Sequence, residues 1–330
     1  MPYSGQQASK GGHSDLIRNP DVEGFLKNCN YLREPTDKEG SEIAKEFLSA
    51  PQGGLLPEIV AAEDASPYSD PISKKFPSTQ VGYVKVSMVA FQMDKFDGLT
   101  DKNELVDPFK VAELHKDANA VSFTLPGSNV RYENSSTVRD GFRRAVHDQI
   151  SDDRTRFSKS APNVREMLFD IEGGSISVPK CPSCGSDSQP FTFQLNTAPL
   201  VCHNCGEKVY ATDSLRLHET ISDYGDNTQA ITRFMNVIEH LLVATLVKAL
   251  SETSLSNLSK WAFIIDGPLA IFGQPSKIHA PLMAFYHNLS QKMIQAGYEP
   301  PLIMGLQKEG MVMEHARSIG NPPIFSWGQK

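Results

Sequence analysis

The feature that most constrains the fold of this chain is a pair of Cys-x-x-Cys-Gly motifs. The first cysteine pair is Cys181 and Cys184, and the second is Cys202 and Cys205. Between Cys184 and Cys202 lie 17 residues. Each motif directs two thiolates at one ion, and two motifs supply the four thiolates of a tetrahedral zinc site at zinc-ribbon spacing. Four thiolates leave no coordination position open, so we predict a structural zinc site in a module over residues 178–210.

The composition is that of a globular protein whose thiols are kept reduced. Hydrophobic residues make up 39% of the 330 residues and charged residues 22%, which excludes collagen-like, disordered and disulfide-dense classes. The fifth cysteine, Cys29, has no sequence partner. No apolar run approaches the roughly 20 residues of a membrane span, and residues 1–15 lack the apolar core of a secretory signal. We therefore expect a cytoplasmic protein without a membrane partner.

The charge balance argues against a basic nucleic-acid coat. Lys plus Arg is 32 and Asp plus Glu is 39, which gives a formal net charge of −7. An enzyme that acts on nucleic acid needs only a local basic surface, and carboxylates that bind metal ions lower its net charge. The acidic balance therefore does not exclude a nucleic-acid enzyme.

Hydrophobic periodicity predicts an α/β fold. Three successive strands precede a helix, the cysteine module, a long helix, and then a strand, a helix and a strand. This order is typical of a mixed sheet flanked by helices, and it fits a ribonuclease H-like domain with an inserted zinc ribbon. The predicted strands are 58–64, 81–91, 120–125, 261–266 and 301–306, and the predicted helices are two short ones within 21–49, then 137–150, 164–171, 228–250 and 277–296.

The predicted domains follow from these elements. Residues 1–54 form a segment that is disordered over 1–20 and then helical, and residues 55–330 form the main domain with the module 178–210 inserted in it. Residues 65–79 are rich in proline and serine and are predicted to be a loop.

Two acidic residues stand at the ends of predicted strands. Asp64 follows Ile-Val-Ala-Ala-Glu, and Asp266 follows Phe-Ile-Ile and precedes a Gly-Pro turn. Acids on neighbouring strands can share divalent cations, which prefer oxygen ligands, and such ions can activate water for phosphodiester cleavage. The alternative is that each acid only caps a turn.

A metal site of this kind needs a third acid, and two residues compete for the role. Glu239 interrupts the apolar stripe of the long predicted helix, where a carboxylate is costly to bury unless it is paired or bound to metal. The alternative is that Glu239 lies at the edge of the stripe. The competitor is Glu219, three residues after Arg216, for which a simple ion pair is the slightly better interpretation.

Several segments together resemble the NurA nuclease family. They run in order from about residue 55 to 316, and they are Ile-Val-Ala-Ala-Glu-Asp-Ala-Ser (59–66), Phe-Pro-Ser-Thr-Gln-Val-Gly-Tyr (76–83), Leu-Pro-Gly-Ser-Asn (125–129), Thr-Asp-Ser-Leu-Arg-Leu-His-Glu (212–219), Arg-Phe-Met-Asn-Val-Ile-Glu-His (233–240), Phe-Ile-Ile-Asp-Gly-Pro-Leu-Ala (263–270) and Gly-Leu-Gln-Lys (305–308). The resemblance is greatest to bacterial members that carry a zinc-ribbon insertion.

The resemblance implies a manganese- or magnesium-dependent DNA nuclease of ribonuclease H-like fold. Such nucleases are typically dimeric and work with a HerA-type hexameric ATPase that translocates DNA, in DNA end processing or in anti-phage defence. Asp64 matches the first-strand acid, Asp266 the later Asp-Gly acid and Glu239 the helix acid, with Glu219 still open. Lys308 matches a basic position that could contact phosphate.

Two departures from the family pattern leave an alternative function open. The chain has Asp-Ala-Ser at 64–66 where the family usually has Asp-Gly-Ser. It also stops soon after the last predicted strand, where the family carries a further His and Tyr near the metals, a role for which His315 is the candidate here. The alternative is a catalytically degenerate subunit that docks on the ATPase ring through the zinc ribbon.

Overall fold

The computed structural model describes residues 19–29, 35–45, 56–100, 105–114, 119–308 and 310–319. The predicted disorder over 1–20 lies outside these residues, except that Asn19 and Pro20 already cap and begin a helix. The described residues form two compact units. One contains the residues up to 45 together with 310–319, and the other contains residues 56–308.

The elements up to the cysteine module alternate short helices with long strands. In chain order they are α1 (Pro20–Leu26), α2 (Asp37–Ala44), β1 (Ile59–Ser73), β2 (Phe76–Gln92), α3 (Met93–Asp97), α4 (Pro108–Leu114), β3 (Asn119–Pro126), α5 (Val138–Ser151) and α6 (Val164–Ile171).

The remaining elements include the module and the longest helix. They are β4 (Ser175–Val178), β5 (Phe191–Gln194), β6 (Leu200–Val201), β7 (Lys208–Val209), α7 (Thr228–Thr253), α8 (Leu255–Leu258), β8 (Trp261–Asp266), α9 (His279–Gln295), β9 (Leu302–Leu306) and α10 (Met311–Ser318). Short 3-10 turns cover Asp153–Thr155, Ala211–Leu215, Leu217–Thr220 and Gln274–Ile278.

The smaller unit contains α1, α2 and α10. The side chain of Asn19 accepts from the Asp21 amide at 2.9 Å, so it caps α1. Thr36 and Glu39 form a reciprocal capping box at the start of α2. The two short helices predicted within 21–49 are therefore confirmed where the chain is described, while residues 30–34 and 46–49 lie outside.

A mixed five-stranded sheet forms the centre of the larger unit, in the order β3-β2-β1-β8-β9. β1, β2 and β3 pair antiparallel, whereas β1, β8 and β9 pair parallel. The parallel pairs need helical crossovers, which α7 and α9 supply. The predicted α/β fold with a mixed sheet flanked by helices is confirmed, and the helices predicted from residue 137 onward agree to within a few residues.

The predicted loop over residues 65–79 was wrong, because most of these residues extend the first two strands. β1 continues to Ser73, turns through two lysines, and pairs back with β2 from Phe76. β8 pairs with β1 only over 59–63, and β3 pairs with β2 only over 81–88. β1 beyond residue 63 therefore pairs with β2 alone, and residues 71–80 form a two-stranded hairpin tip. We call residues 66–80 the hairpin arm. Prolines are tolerated there because the outer edges of the arm have no partner strand among the described residues.

The core of the larger unit lies between one face of the sheet and the helices α5, α6 and α7. Phe123, Phe142, Phe234 and Phe263 are fully buried in it. α7 packs against β1 and β2. Of the helices that the structure describes, α7 alone is long and apolar enough to cross a membrane. Its most apolar window is 72% buried inside the protein, as the core helix of a folded domain also would be.

Candidate functional site

Asp64 and Asp266 lie side by side where the parallel pairing of β1 with β8 ends, although β1 itself continues to Ser73. Glu63 on β1 is in register with Ile265 on β8, so the next residues of the two strands point to the same face. The two side chains lie close enough for each to shift the pKa of the other. Burial and this contact with Asp266 raise the pKa of Asp64. Two carboxyls in contact disfavour the ionised form of one of them, and here it is the pKa of Asp64 that is raised.

Lys308 completes the exposed part of this site. Its Nζ lies 3.0 Å from Oδ2 of Asp266, and the lysine remains more than half exposed. Burial works to raise the pKa of Asp266, but the hydrogen bonds from Lys308 and Asp64 outweigh it, and that pKa is lowered. The ion pair with Lys308 therefore favours the ionised form of Asp266.

Glu239 reaches the same cluster from α7. It is buried, and burial followed by the charges of Asp266 and Asp64 raises its pKa to about 8. The backbone N–H of Ala65 opposes this rise by hydrogen bonding. The structure thus brings the three predicted acids and Lys308 together.

Glu63 belongs to the cluster and was missed in the sequence. It is only 4% exposed, and neither carboxylate oxygen has a hydrogen-bond partner among the described residues. Burial, then the charges of Glu239, Asp64 and Asp266, raise its pKa to about 9. Strand alternation was the available signal, because it turns Ala61, Glu63 and Ala65 toward the core when Asp64 faces outward.

The donor set of this acidic cluster (Glu63, Asp64, Glu239, Asp266) suits a hard divalent cation. Oxygen ligands are what Mg²⁺ prefers, and Mn²⁺ accepts them also. Glu63 and Glu239 are buried acids that need a proton or a cation for neutralisation. The carboxylate oxygens do not form a tight cage, since among the described residues only the cysteines bring three or more ligand atoms within 4.8 Å of one another.

Two of the remaining predicted site residues, Arg216 and Glu219, are not part of the acidic cluster. Arg216 and Glu219 form a two-bond ion pair at 2.7 and 2.8 Å, and neither contributes to the pKa shifts of the acidic cluster. They line a cavity of about 640 Å³ next to the cysteine module. His315 lies on α10 in the smaller unit.

Ala65 does not distort the first motif. It continues β1 and pairs with Val86 on β2. The residue is extended, so the positive φ that a glycine would permit is not used at this position.

The four cysteines converge on one point, as predicted. Sγ of Cys181 lies 3.7 Å from that of Cys205, and Sγ of Cys184 lies 3.8 Å from that of Cys202. A tetrahedral zinc ion with bonds of about 2.3 Å separates its sulfur ligands by about 3.8 Å. These four side chains could therefore hold a metal ion such as zinc.

The turns around the cysteines have the geometry that thiolate ligation requires. Gly185 and Gly206 follow the two pairs at φ 74° and 76°, which glycine adopts readily. Each glycine N–H donates to the carbonyl of the first cysteine in its motif, at 2.9 and 2.8 Å. Asn204 Nδ2 donates to Sγ of Cys184 at 3.4 Å and is the main cause that lowers the pKa of that thiol to about 6.

A buried arginine joins the cysteine module to the core. Arg143 on α5 donates to Asp213 through two bonds and to Asp140, Ser183 and the Lys208 carbonyl through one each. Ser183 lies between two of the cysteines, so the arginine bridges the metal-binding turn and the helix layer. This network carries no sequence motif and was not predicted.

Comparison of the chain with protein-family models, with curated proteins and with solved structures gives no match.

Proposed function

We propose that this chain is a divalent-metal-dependent DNA nuclease with a ribonuclease H-like fold. The observation that carries the proposal is the acidic cluster. Asp64, Glu239 and Asp266 lie far apart in sequence, yet they meet beside Lys308 at the carboxyl end of the parallel pairing of β1 with β8. The carboxyl ends of parallel strands are where open α/β sheets place their ligands.

The residues of the cluster have distinct proposed roles. Asp64, Glu239 and Asp266 would hold Mn²⁺ or Mg²⁺, which when bound supplies an activated water and stabilises the leaving oxygen of a phosphodiester. Lys308 is exposed and would balance the charge of the scissile phosphate. Its ion pair with Asp266 keeps both groups charged and oriented before DNA arrives.

The resemblance to the NurA family supports the rest of the proposal. We infer a cytoplasmic homodimer that acts on DNA with a HerA-type hexameric ATPase, in DNA end processing or anti-phage defence, without a membrane partner. The four cysteines would hold a structural zinc ion, because four thiolates leave no position for a substrate.

A second candidate function is a degenerate nuclease subunit that regulates the ATPase. Asp266 is already paired with Lys308, so its charge is balanced without a cation. The same geometry is compatible with a fold that retains its acids for stability alone.

A cleavage assay separates the two candidates. Linear single- and double-stranded DNA are incubated with the chain and Mn²⁺, with and without a HerA-type ATPase. Asp64→Asn and Asp266→Asn keep the side-chain shape and should lower the cleavage rate by at least about 100-fold, the scale of losing one group that stabilises transition-state charge. Asp97→Asn is the control, because Asp97 is an exposed carboxylate outside the cluster.

The outcomes are distinct. Cleavage that is equal in all four proteins refutes the site assignment. No cleavage by the unaltered chain under any condition, combined with unchanged binding of the two variants to the ATPase, favours the degenerate subunit.

A further inference from the structure

The face of β1 that carries Asp64 continues as an open surface onto the hairpin arm. Side chains alternate along a strand, so Ser66 and Tyr68 point to the same side as Asp64. All three are exposed. The opposite side of this strand carries Ala61 and Glu63 and is buried at its start.

Two tyrosines lie directly opposite each other on this face. Tyr68 on β1 is paired in register with Tyr83 on β2, and the neighbouring pair is Ser66 with Lys85. The tyrosines are 62% and 38% exposed. We call Tyr68, Tyr83 and Lys85 the tyrosine face.

The tyrosine face lies close to the acidic cluster. Tyr68 is four residues beyond Asp64 on the same strand, which corresponds to about 13 Å. The strand is continuous between them, so the spacing is fixed by the sheet.

The charge of this region is opposite to that of the whole chain. Residues 66–85 contain Lys74, Lys75 and Lys85 against the single acid Asp70, so their formal charge is +3 − 1 = +2, in a chain of net charge −7. Two of these lysines form the turn of the arm. Lys85 lies on the tyrosine face itself, Lys74 and Lys75 lie at the tip of the arm, and Asp70 shares the side of Tyr68. The excess of lysines around the face favours an anionic ligand.

The outer edges of the arm disfavour pairing with a strand of a second copy. Pro67, Pro71 and Pro77 lack the N–H that a new ladder would need. A ligand of this surface is thus expected to contact its side chains instead.

We propose that the tyrosine face is a stacking platform that binds single-stranded DNA and leads it toward Asp64. Exposed aromatic rings beside basic residues bind single strands by stacking on bases, while lysines contact the phosphates. The bases of a duplex are stacked on one another and offer no free face to these rings. The direction toward Asp64 rests on the proposed nuclease function, whereas binding does not.

Binding is measured without cleavage. A fluorescein-labelled oligothymidine is titrated with the full chain in EDTA, and its anisotropy is followed. Base–aromatic stacking contributes roughly 1–3 kcal/mol per base, so Tyr68→Ala and Tyr83→Ala should each weaken binding about 5- to 150-fold. Tyr68→Phe keeps the ring and should bind like the unaltered chain. Tyr224→Ala removes an exposed tyrosine outside the arm and should change binding less than twofold.

Three results would overturn the platform. The first is that the unaltered chain does not bind up to about 100 µM, the weak end of non-specific binding. The second is that Tyr68→Ala and Tyr224→Ala bind equally well. The third is a dimer in gel filtration that Tyr68→Ala dissociates, which would assign the face to a second copy.

The platform and the nuclease can fail separately. Tyrosine-dependent binding without metal-dependent cleavage retains the platform and rejects the nuclease. Cleavage of single strands at equal rates by the unaltered chain and both alanine variants, together with equal binding, rejects the platform and retains the nuclease.

Discussion

Replacement of Arg143 by methionine tests how the cysteine module is attached to the core. The Arg143 side chain is 1% exposed and is bound on one side by Asp213 and Asp140 at 2.7–2.8 Å. On the other side it donates to Ser183 at 2.7 Å and to the Lys208 carbonyl at 2.6 Å. Methionine fills a similar volume but carries no charge and no N–H group.

The expected loss of stability is large because two carboxylates lose their cation. The Asp213 side chain is as buried as the arginine. Removal of one partner from a buried ion pair costs about 3–5 kcal/mol, since the remaining charge is uncompensated. At about 2–4 °C per kcal/mol for a chain of this size class, Tm should fall by roughly 6–20 °C.

The assay is urea unfolding followed by circular dichroism, with Arg144→Met as the control. Arg144 is the next residue on α5, but its ion pairs with Glu133 and Asp148 are partly exposed, so its replacement should cost less than about 1 kcal/mol. Arg143→Met should also release a bound metal to a chelator faster, because Ser183 lies between Cys181 and Cys184. A loss as small as that of Arg144→Met would refute the idea that Arg143 fastens the module.

Three further predictions concern the acids and the thiols. In EDTA, the stability that protonated Glu63 and Glu239 contribute should be complete below about pH 4.5 and should be lost as pH rises through about 8 to 9, because the unfolded chain ionises both near pH 4.5 while the folded chain keeps them protonated. Thermal unfolding of the unaltered chain and of Glu63→Leu between pH 5 and 9 measures the part due to Glu63, and a difference in stability that does not grow with pH contradicts it. Glu63→Leu should raise metal-free stability by about 1–3 kcal/mol, since it removes a buried carboxyl without a hydrogen-bond partner, and a destabilised variant in urea unfolding contradicts it. Cys184→Ser should lower bound zinc, measured by atomic absorption after dialysis, to well below one ion per chain; full zinc content in this variant would show that Cys184 is not a ligand.

Local sequence patterns predict much of the candidate site. Ligand identity and spacing predict the cysteine cluster, because two short turns fix each pair of thiols regardless of the rest of the fold. Apolar runs predict the strand that ends at Asp266, whereas at Asp64 only the pairing with β8 ends and β1 continues to Ser73. A carboxylate inside an apolar stripe marks Glu239, because its burial is costly unless it is paired or bound to metal.

The hairpin arm shows where local reasoning failed. Prolines and serines over residues 65–79 resemble a loop, but strand pairing depends on which edges have partners, and this is decided by distant strands. Glu63 was missed similarly, because its cost of burial exists only once α7 covers that face of β1.

The sequence by itself determined the four clustered cysteines, the main helices and strands, and the acids that follow two apolar strand segments. These features depend on residue type and on periods of two or 3.6 residues. The tertiary structure alone decided that Asp64 and Asp266 lie in register, that Glu63 and Glu239 share one buried cluster, that Arg143 bridges the module to α5, and that Tyr68 faces Tyr83 beside the acids. Each of these is a contact between residues far apart in the chain, set by strand order, register and packing, which no local pattern encodes.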